Sequence, residues 1–340
     1  MSVDANSPPL QPMQASSIAE PDQVLQTRMT KNGYLLFRNL LPATAVTRLR
    51  QSIASILHKH GWIKNDEDTG SITTIRSPMR EGEASEGFFD VYDEVMRLEP
   101  FYALAHQPVL LQIMQRVLAS DCFPHPLSIC RFGWPEHDAA TTPPHQDFPN
   151  NQGSLRLTAA WIPLTDVPVS RGGLAILQGS NQGNTILPLD FHLGPGNRQA
   201  VLPDHLQRLP WVSTHYRPGD VILFSSTTVH RALPNHDSQY LRLSVDYRYL
   251  PDGDALTPPV LEPHFARESW DSIYQGWKDK RFCYYWQQHD YTEVPWSDEY
   301  HRLPETHLNH ALRAESEYRR QRQTQQKQQT GSQEPNTDEQ

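Results

Sequence analysis

Three cysteines in 340 residues, Cys122, Cys130 and Cys283, are too few and too scattered for a disulfide framework or a thiolate metal site. Each reads as a small hydrophobe. No stretch approaches the roughly 18 consecutive apolar residues that a membrane-spanning helix needs. The opening MSVDANSPPLQPMQASSIAEPDQ lacks a basic start followed by an apolar run, so no secretory leader is expected there. There is also no basic block. Lys and Arg number 30 against 39 Asp and Glu, a formal charge of -9, which argues against nucleic acid or an anionic membrane as partner. No internal repeat is visible. These absences leave a soluble, cytoplasmic protein as the expectation.

Proline is plentiful at 29 residues, which favours turns and short elements over long helices. Residues 1–24, rich in Pro, Ser and Gln, and the Gln-rich segment 317–340 hold little to bury, and both are expected to lie outside the fold as disordered tails. One domain over residues 25–316 remains. It opens with the apolar run Tyr34 to Phe37, a strand. Pro42 then precedes Val46, Leu49, Ile53, Ile56 and Leu57 at helical spacing, with Gly61 as the stop. A second helix is expected over residues 101–118. From about 125 to 250 the pattern becomes short β-branched and aromatic runs separated by Pro, Gly and Asn, which marks a mainly β core of sandwich or barrel type. After it, residues 263–316 form an aromatic-rich helical cover, with Trp270, Tyr274 and Trp277 at i, i+4 and i+7.

The most informative run is YLRLSVDYRYL, residues 240–250. Leu241, Leu243, Val245, Tyr247 and Tyr249 alternate with Arg242, Ser244, Asp246 and Arg248, so the two sets occupy opposite faces of one strand. A strand with one face in water has the same alternation as a strand whose polar face lines a pocket.

Chemistry first shows in TPPHQDFPN. On an extended chain His145 and Asp147 point the same way, and an imidazole nitrogen beside a carboxylate oxygen suits ferrous iron. A pair of this kind is common by chance among sixteen histidines, so a third ligand is required. The candidates downstream are His192, His205, His215, His230 and His236. His230 stands apart because it ends a Pro-Gly-Asp turn and the apolar run Val221 to Phe224. Twelve residues on comes Arg242, with Ser244 two further. A guanidinium grips a carboxylate through two parallel hydrogen bonds, and a serine on the same face adds another.

The array His145-x-Asp147, His230, Arg242-x-Ser244 resembles the phytanoyl-CoA dioxygenase family of Fe(II)/2-oxoglutarate-dependent oxygenases. Asn32 to Leu35, Gly172 to Leu174, Gln178 to Asn181 and the Arg217-Pro218-Gly219-Asp220 turn are similar to further parts of the family pattern, and the likeness covers about residues 25–250. The resemblance implies a double-stranded β-helix, a jelly-roll relative of the cupins, with helices outside. It implies iron on His145, Asp147 and His230, and 2-oxoglutarate held by Arg242 and Ser244 with Trp161 near it. Arg131, Gln146, Asp246 and Arg248 become candidate pocket residues, so the polar strand face turns inward. The implied cofactors are Fe2+, 2-oxoglutarate and O2, with ascorbate as an in vitro reductant. The implied reaction hydroxylates an unactivated C–H bond of a small organic molecule and releases succinate and CO2. Related halogenases lack the carboxylate that Asp147 supplies. Desaturation, cyclisation and epimerisation use the same ligands, and a metal-binding cupin-like protein without turnover is the alternative from another class. Residues 69–89, 134–144 and 189–211 and the segment after Pro251 are the expected substrate loops. The long 189–211 insertion is read as a possible lid.

Overall fold

The computed structural model describes residues 9–64, 71–74, 87–135, 141–192 and 195–304. Its first half runs β1 (Gln11–Pro12), β2 (Ala15–Ser16), α1 (Asp22–Asn32), β3 (Tyr34–Phe37), α2 (Ala43–Lys59), β4 (Ile72–Thr73), α3 (Phe88–Met96), α4 (Glu99–Ala105) and α5 (Pro108–Leu118). The second half adds β5 (Cys122–Pro124), β6 (Ile129–Gly133), α6 (Phe148–Asn151), β7 (Thr158–Pro163), β8 (Leu174–Leu177), β9 (Leu189–Phe191) and β10 (Arg198–Ala200). It continues through α7 (Asp204–Gln207), β11 (Trp211–Ser213), β12 (Val221–Ser225), β13 (His230–Ala232), β14 (Tyr240–Pro251) and α8 (Trp270–Tyr274).

Two mixed, open sheets face each other, as expected of a jelly-roll core. The larger has the order β2-β3-β12-β7-β14-β4, with β5 and β6 also pairing along β14; the smaller has the order β1-β11-β8-β13. Period two sorts the larger sheet's side chains. Tyr34, Leu36, Ala159, Trp161, Ile222 and Phe224 pack toward Leu174, Ile176 and Val212 of the smaller sheet. Leu35, Phe37, Ala160, Ile162, Val221 and Leu223 point the other way, into the core shared with the helices. On β14 the apolar set joins that helix-side core, and Tyr247 and Tyr249 donate to the Phe101 and Ala105 carbonyls at 2.5 and 2.6 Å. Those two bonds satisfy α4 carbonyls at the sheet. The polar set of β14 is left facing the smaller sheet.

Several expectations need correction. Residues 9–24 are not outside the fold: β1 pairs with β11, β2 pairs with β3, and α1 begins at Asp22. Polar composition hid them because two-residue strands need little apolar area when a partner strand supplies the hydrogen bonds. The helix expected over 101–118 is two, since Pro108 has no N–H to donate and starts α5 after an extended Gln107. The aromatic stripe forms a helix of only five residues, α8, and Trp277 lies beyond it. Trp270 and Trp277 pack on Tyr102 of α4, at centroid distances of 5.8 and 5.1 Å, so the cover reaches the sheet through that helix. The 189–211 insertion is a β9–β10 hairpin followed by α7 and by β11, itself a strand of the smaller sheet with Trp211 buried. Residues 317–340 and most of 69–89 lie outside the described residues. Cys122 and Cys130 are buried thiols and Cys283 is half-buried.

Three histidines outside the His145–Asp147–His230 group, one fully buried and two half-buried, link the fold to pH. His106 stacks on Phe282 at 4.5 Å, His125 is packed with both ring nitrogens unpartnered, and His264 shares a 2.6 Å hydrogen bond with the Tyr92 hydroxyl. Burial, reinforced by His289 beside His106, Arg248 beside His125 and Arg131 and Arg248 beside His264, pushes each down to about 3. The unfolded chain therefore binds more protons below the ordinary imidazole value of about 6.5, and stability falls as pH drops from there toward 3, by up to ~1.4 kcal/mol per pH unit for each histidine. Urea midpoints measured across this range should fall steadily, and His106→Phe should make the slope shallower by about one histidine's share. An unchanged slope would show that His106 is protonated in the folded protein.

Candidate active site

The turn Arg217 to Asp220 sets the approach to His230. Asp220 accepts from Asn39 N at 2.9 Å, Arg217 N at 3.0 Å and Arg38 Nη1 at 2.6 Å, which ties the start of β12 to the end of β3. Gly219, at φ 97°, takes a conformation that L side chains rarely adopt. β12 then crosses the sheet, and residues 226–229 deliver His230 as the first residue of β13. His145 and His230 exchange both backbone hydrogen bonds, each 2.9 Å, across an isolated antiparallel bridge. That rung sets the imidazoles side by side with centroids 4.1 Å apart. Two residues on, Asp147 sits at the start of α6, and Asn151 Nδ2 donates to its carbonyl at 2.7 Å.

The side-chain donors of His145, Asp147 and His230 all lie within 4.8 Å of one another. Both histidines turn Nδ1 toward a backbone carbonyl, Pro143 O at 2.8 Å and Thr228 O at 3.1 Å. Donation from Nδ1 sets the tautomer that leaves each Nε2 lone pair facing the carboxylate. Burial, helped by the adjacent His230, pushes His145 down to about 3, and burial also lowers His230, so both rings are neutral. Burial alone would raise Asp147, but the Arg248 guanidinium, with its Nε and Nη2 each 3.0 Å from a carboxylate oxygen, holds it well below the usual range. Two neutral imidazoles and one carboxylate fit a ferrous ion with coordination positions to spare.

Two chambers meet at this group, sharing Arg131, Thr142, His145 and Arg248 as a common wall. The inner one is lined by Trp161, Gly172, Gly173, Phe224, Arg242 and Asp246. It is narrow, about 20 Å³, and in its wall Arg242 donates to Ser244 Oγ at 2.9 Å and Gly172 O at 3.0 Å. The outer chamber, about 260 Å³, is bounded by Leu127, Ile129, Leu189, Arg198, His264 and Phe265.

Each residue singled out from the sequence can now be placed. Arg242, Asp246 and Arg248 line the inner chamber, and Ser244 is buried beside Arg242. Trp161 reaches the same chamber and packs on Tyr216 with centroids 5.1 Å apart. Arg131 is paired with Asp246. Gln146 borders the outer chamber, but its amide donates to Thr185 O and Thr227 O and accepts from Leu187 N, so it holds backbone together. Of the other histidines, His215 pairs with Asp166 at 2.7 Å and is not in the group. Of Arg198, His264 and His125, only Arg198 was within reach of the sequence, as one of the charges on the 189–211 insertion that could meet a polar substrate. The first two fall in segments flagged as loops, and the third follows the short β5, with no motif to mark it.

The sequence profile described as "Phytanoyl-CoA dioxygenase (PhyH)" matches residues 29–243. The chain is 27% identical over 182 residues to the 1-deoxypentalenic acid 11-beta-hydroxylase of Streptomyces arenae, a match covering 46% of this chain and 60% of that protein. It is 24% identical over 234 residues to a probable phytanoyl-CoA dioxygenase of Caenorhabditis elegans, covering 65% of this chain and 73% of that one. Among solved structures, the non-haem alpha-ketoglutarate-dependent carbocyclase SnoK from nogalamycin biosynthesis aligns with 76% of this chain and 94% of its own. Its TM-score is 0.48 and its identity 20%.

Gly133 pairs with Arg242 across β6 and β14, and a Cβ there would lie 2.8 Å from Arg242 Nε and 3.1 Å from Cζ. Gly133→Ala should therefore displace the guanidinium and weaken 2-oxoglutarate binding about tenfold, ~1.4 kcal/mol, while leaving Mn(II) affinity unchanged. Titration calorimetry on the Mn(II)-loaded protein measures both, and equal 2-oxoglutarate affinity in the two proteins would refute the close contact.

Proposed function

This chain belongs to the phytanoyl-CoA dioxygenase family, and we propose that it is a non-haem Fe(II)/2-oxoglutarate-dependent oxygenase that hydroxylates a small organic molecule. One observation carries the reading: the two-histidine, one-carboxylate group sits where a chamber walled by Arg242 meets a second, larger chamber of mixed polar and apolar lining. His145 Nε2, His230 Nε2 and an Asp147 oxygen would hold iron. Arg242, supported by Ser244, would hold the distal carboxylate of 2-oxoglutarate. When bound, iron and 2-oxoglutarate supply the oxidation, in which O2 is consumed, succinate and CO2 are released and a substrate C–H bond is oxidised.

The protein's share is position and exclusion. Carbonyls at Pro143 and Thr228 orient the two imidazoles, and Arg248 keeps Asp147 ionised and fixed. Trp161 and Phe224 wall the inner chamber against bulk water. In the outer chamber, Leu127, Ile129, Leu189 and Phe265 would seat the apolar body of a substrate, with Arg198 and His264 as its polar limits. About 260 Å³ suits a small free molecule rather than an acyl-CoA thioester. The retained Asp147 carboxylate favours hydroxylation over halogenation. Residues 9–304 would form one catalytic domain. Among the described residues no helix is long and apolar enough to cross a membrane, and a cytoplasmic setting is in keeping with three unpaired thiols.

Incubation with Fe(II), ascorbate, 2-oxoglutarate and O2 should yield succinate, increased by a true substrate. His145→Ala and Asp147→Ala should abolish it, by at least a hundredfold, and Arg242→Ala should raise the 2-oxoglutarate requirement at least tenfold while metal still binds. Undiminished succinate in either ligand variant would sink the iron assignment. Product analysis separates hydroxylation from desaturation, cyclisation or epimerisation. Tight metal binding without succinate would favour the non-catalytic alternative.

A further inference from the structure

Arg248 carries more than the ion pair with Asp147. It lies on β14 six residues beyond Arg242, on the same face of the strand, and is buried. Nε and Nη2 form a fork on the two Asp147 oxygens, each 3.0 Å away. Nη1 is left over. It is buried with no hydrogen-bond partner, on a side chain that lines both chambers. Beside the strand, His125 N donates to Arg248 O at 2.8 Å, a backbone bond that leaves the guanidinium's own donors unaffected. A buried N–H donor without an acceptor is unfavourable and rare, and its usual explanation is a ligand or water that belongs at the position.

Resting on the reading above, we propose that Arg248 Nη1 donates to the iron-proximal carboxylate of 2-oxoglutarate, so that one guanidinium holds both the metal-binding carboxylate and the co-substrate. Three features point there. The Arg248 side chain lines the chamber that Arg242 also lines, and Arg242 would take the opposite end of the same molecule. Arg242 and Arg248 belong to one face of the same strand, and both side chains turn into that chamber's wall. A carboxylate acceptor makes the bond charge-assisted, the strongest use of a guanidinium edge.

The test compares 2-oxoglutarate with 4-oxopentanoate, which keeps the ketone and the distal carboxylate but has a methyl group in place of the iron-proximal carboxylate. Affinities are measured by calorimetry at saturating Mn(II) without O2, for the full chain and for Arg248→Met and Arg248→Lys. The proposal expects 2-oxoglutarate affinity to fall at least tenfold in Arg248→Met, with 4-oxopentanoate affinity unchanged. Arg248→Lys should recover part of the loss, since an ammonium still donates. Equal losses for both ligands would mean that Arg248 acts only through Asp147, and no loss for either would mean that it does not reach the co-substrate. Both results overturn the proposal. If the variants lose metal or fail to fold, a crystal structure of the wild-type Mn(II)–2-oxoglutarate complex decides, by whether Nη1 lies within hydrogen-bond distance of the proximal carboxylate. Wild-type protein that binds no 2-oxoglutarate at all would instead defeat the oxygenase reading on which this rests.

Discussion

A carboxylate in a protein interior is unstable as an ion unless something of opposite charge faces it at close range, and the pairing of Asp147 with Arg248 meets that need here. Asp147 comes from the loop that also carries His145, while Arg248 comes from the strand that carries Arg242 and Ser244. The pair therefore fastens the metal-binding loop to the larger sheet, much as the His145–His230 rung fastens it to the smaller one. The loop is held at both sheets, and the three donor atoms converge as a result. Such a pair contributes little net stability but makes breakage costly, since removing either partner strands a buried charge.

The strand β14 shows how one alternation serves two ends. Its apolar set, Leu241 to Tyr249, meets the helices, and two tyrosine hydroxyls of that set anchor α4. The polar set then has no water to face, only the chambers. The helices on one face thereby hold the strand rigid under the chemistry on the other. Trp270 and Trp277 work at one remove, through Tyr102, while His289 and Tyr291 meet the sheet directly at Phe123 of β5.

Much of this was legible in the sequence because the informative residues sit in regular strands. Period two placed Arg242, Ser244, Asp246 and Arg248 on one face, and the Pro-Gly-Asp turn with its apolar run singled out His230 from five histidines. The role of Arg248 was not legible, since a guanidinium that holds a ligand and one that holds another side chain look alike in sequence. Gln146 does border the outer chamber, and what its place between two ligands could not reveal is that its amide is used on backbone groups. β1 and β2 were missed because each is two residues long and supplied by pairing, not by pattern. Arg198 and His264 come to the outer chamber from a hairpin and a short helical turn whose positions depend on long-range packing.

The rung between His145 and His230 has one more effect, on the smaller sheet itself. β13 lies at the end of that sheet's order, with β8 on its other side. An uncovered edge of this kind offers unpaired N–H and C=O groups to strands of other molecules. The loop carrying His145 occupies those groups, His145 N with His230 O and His230 N with His145 O, and Thr142 O accepts from Ala232 N at 3.1 Å. The segment that brings two metal ligands together thus also shields the edge against intermolecular strand addition. The same few residues serve both the edge of the smaller sheet and the convergence of the two imidazoles.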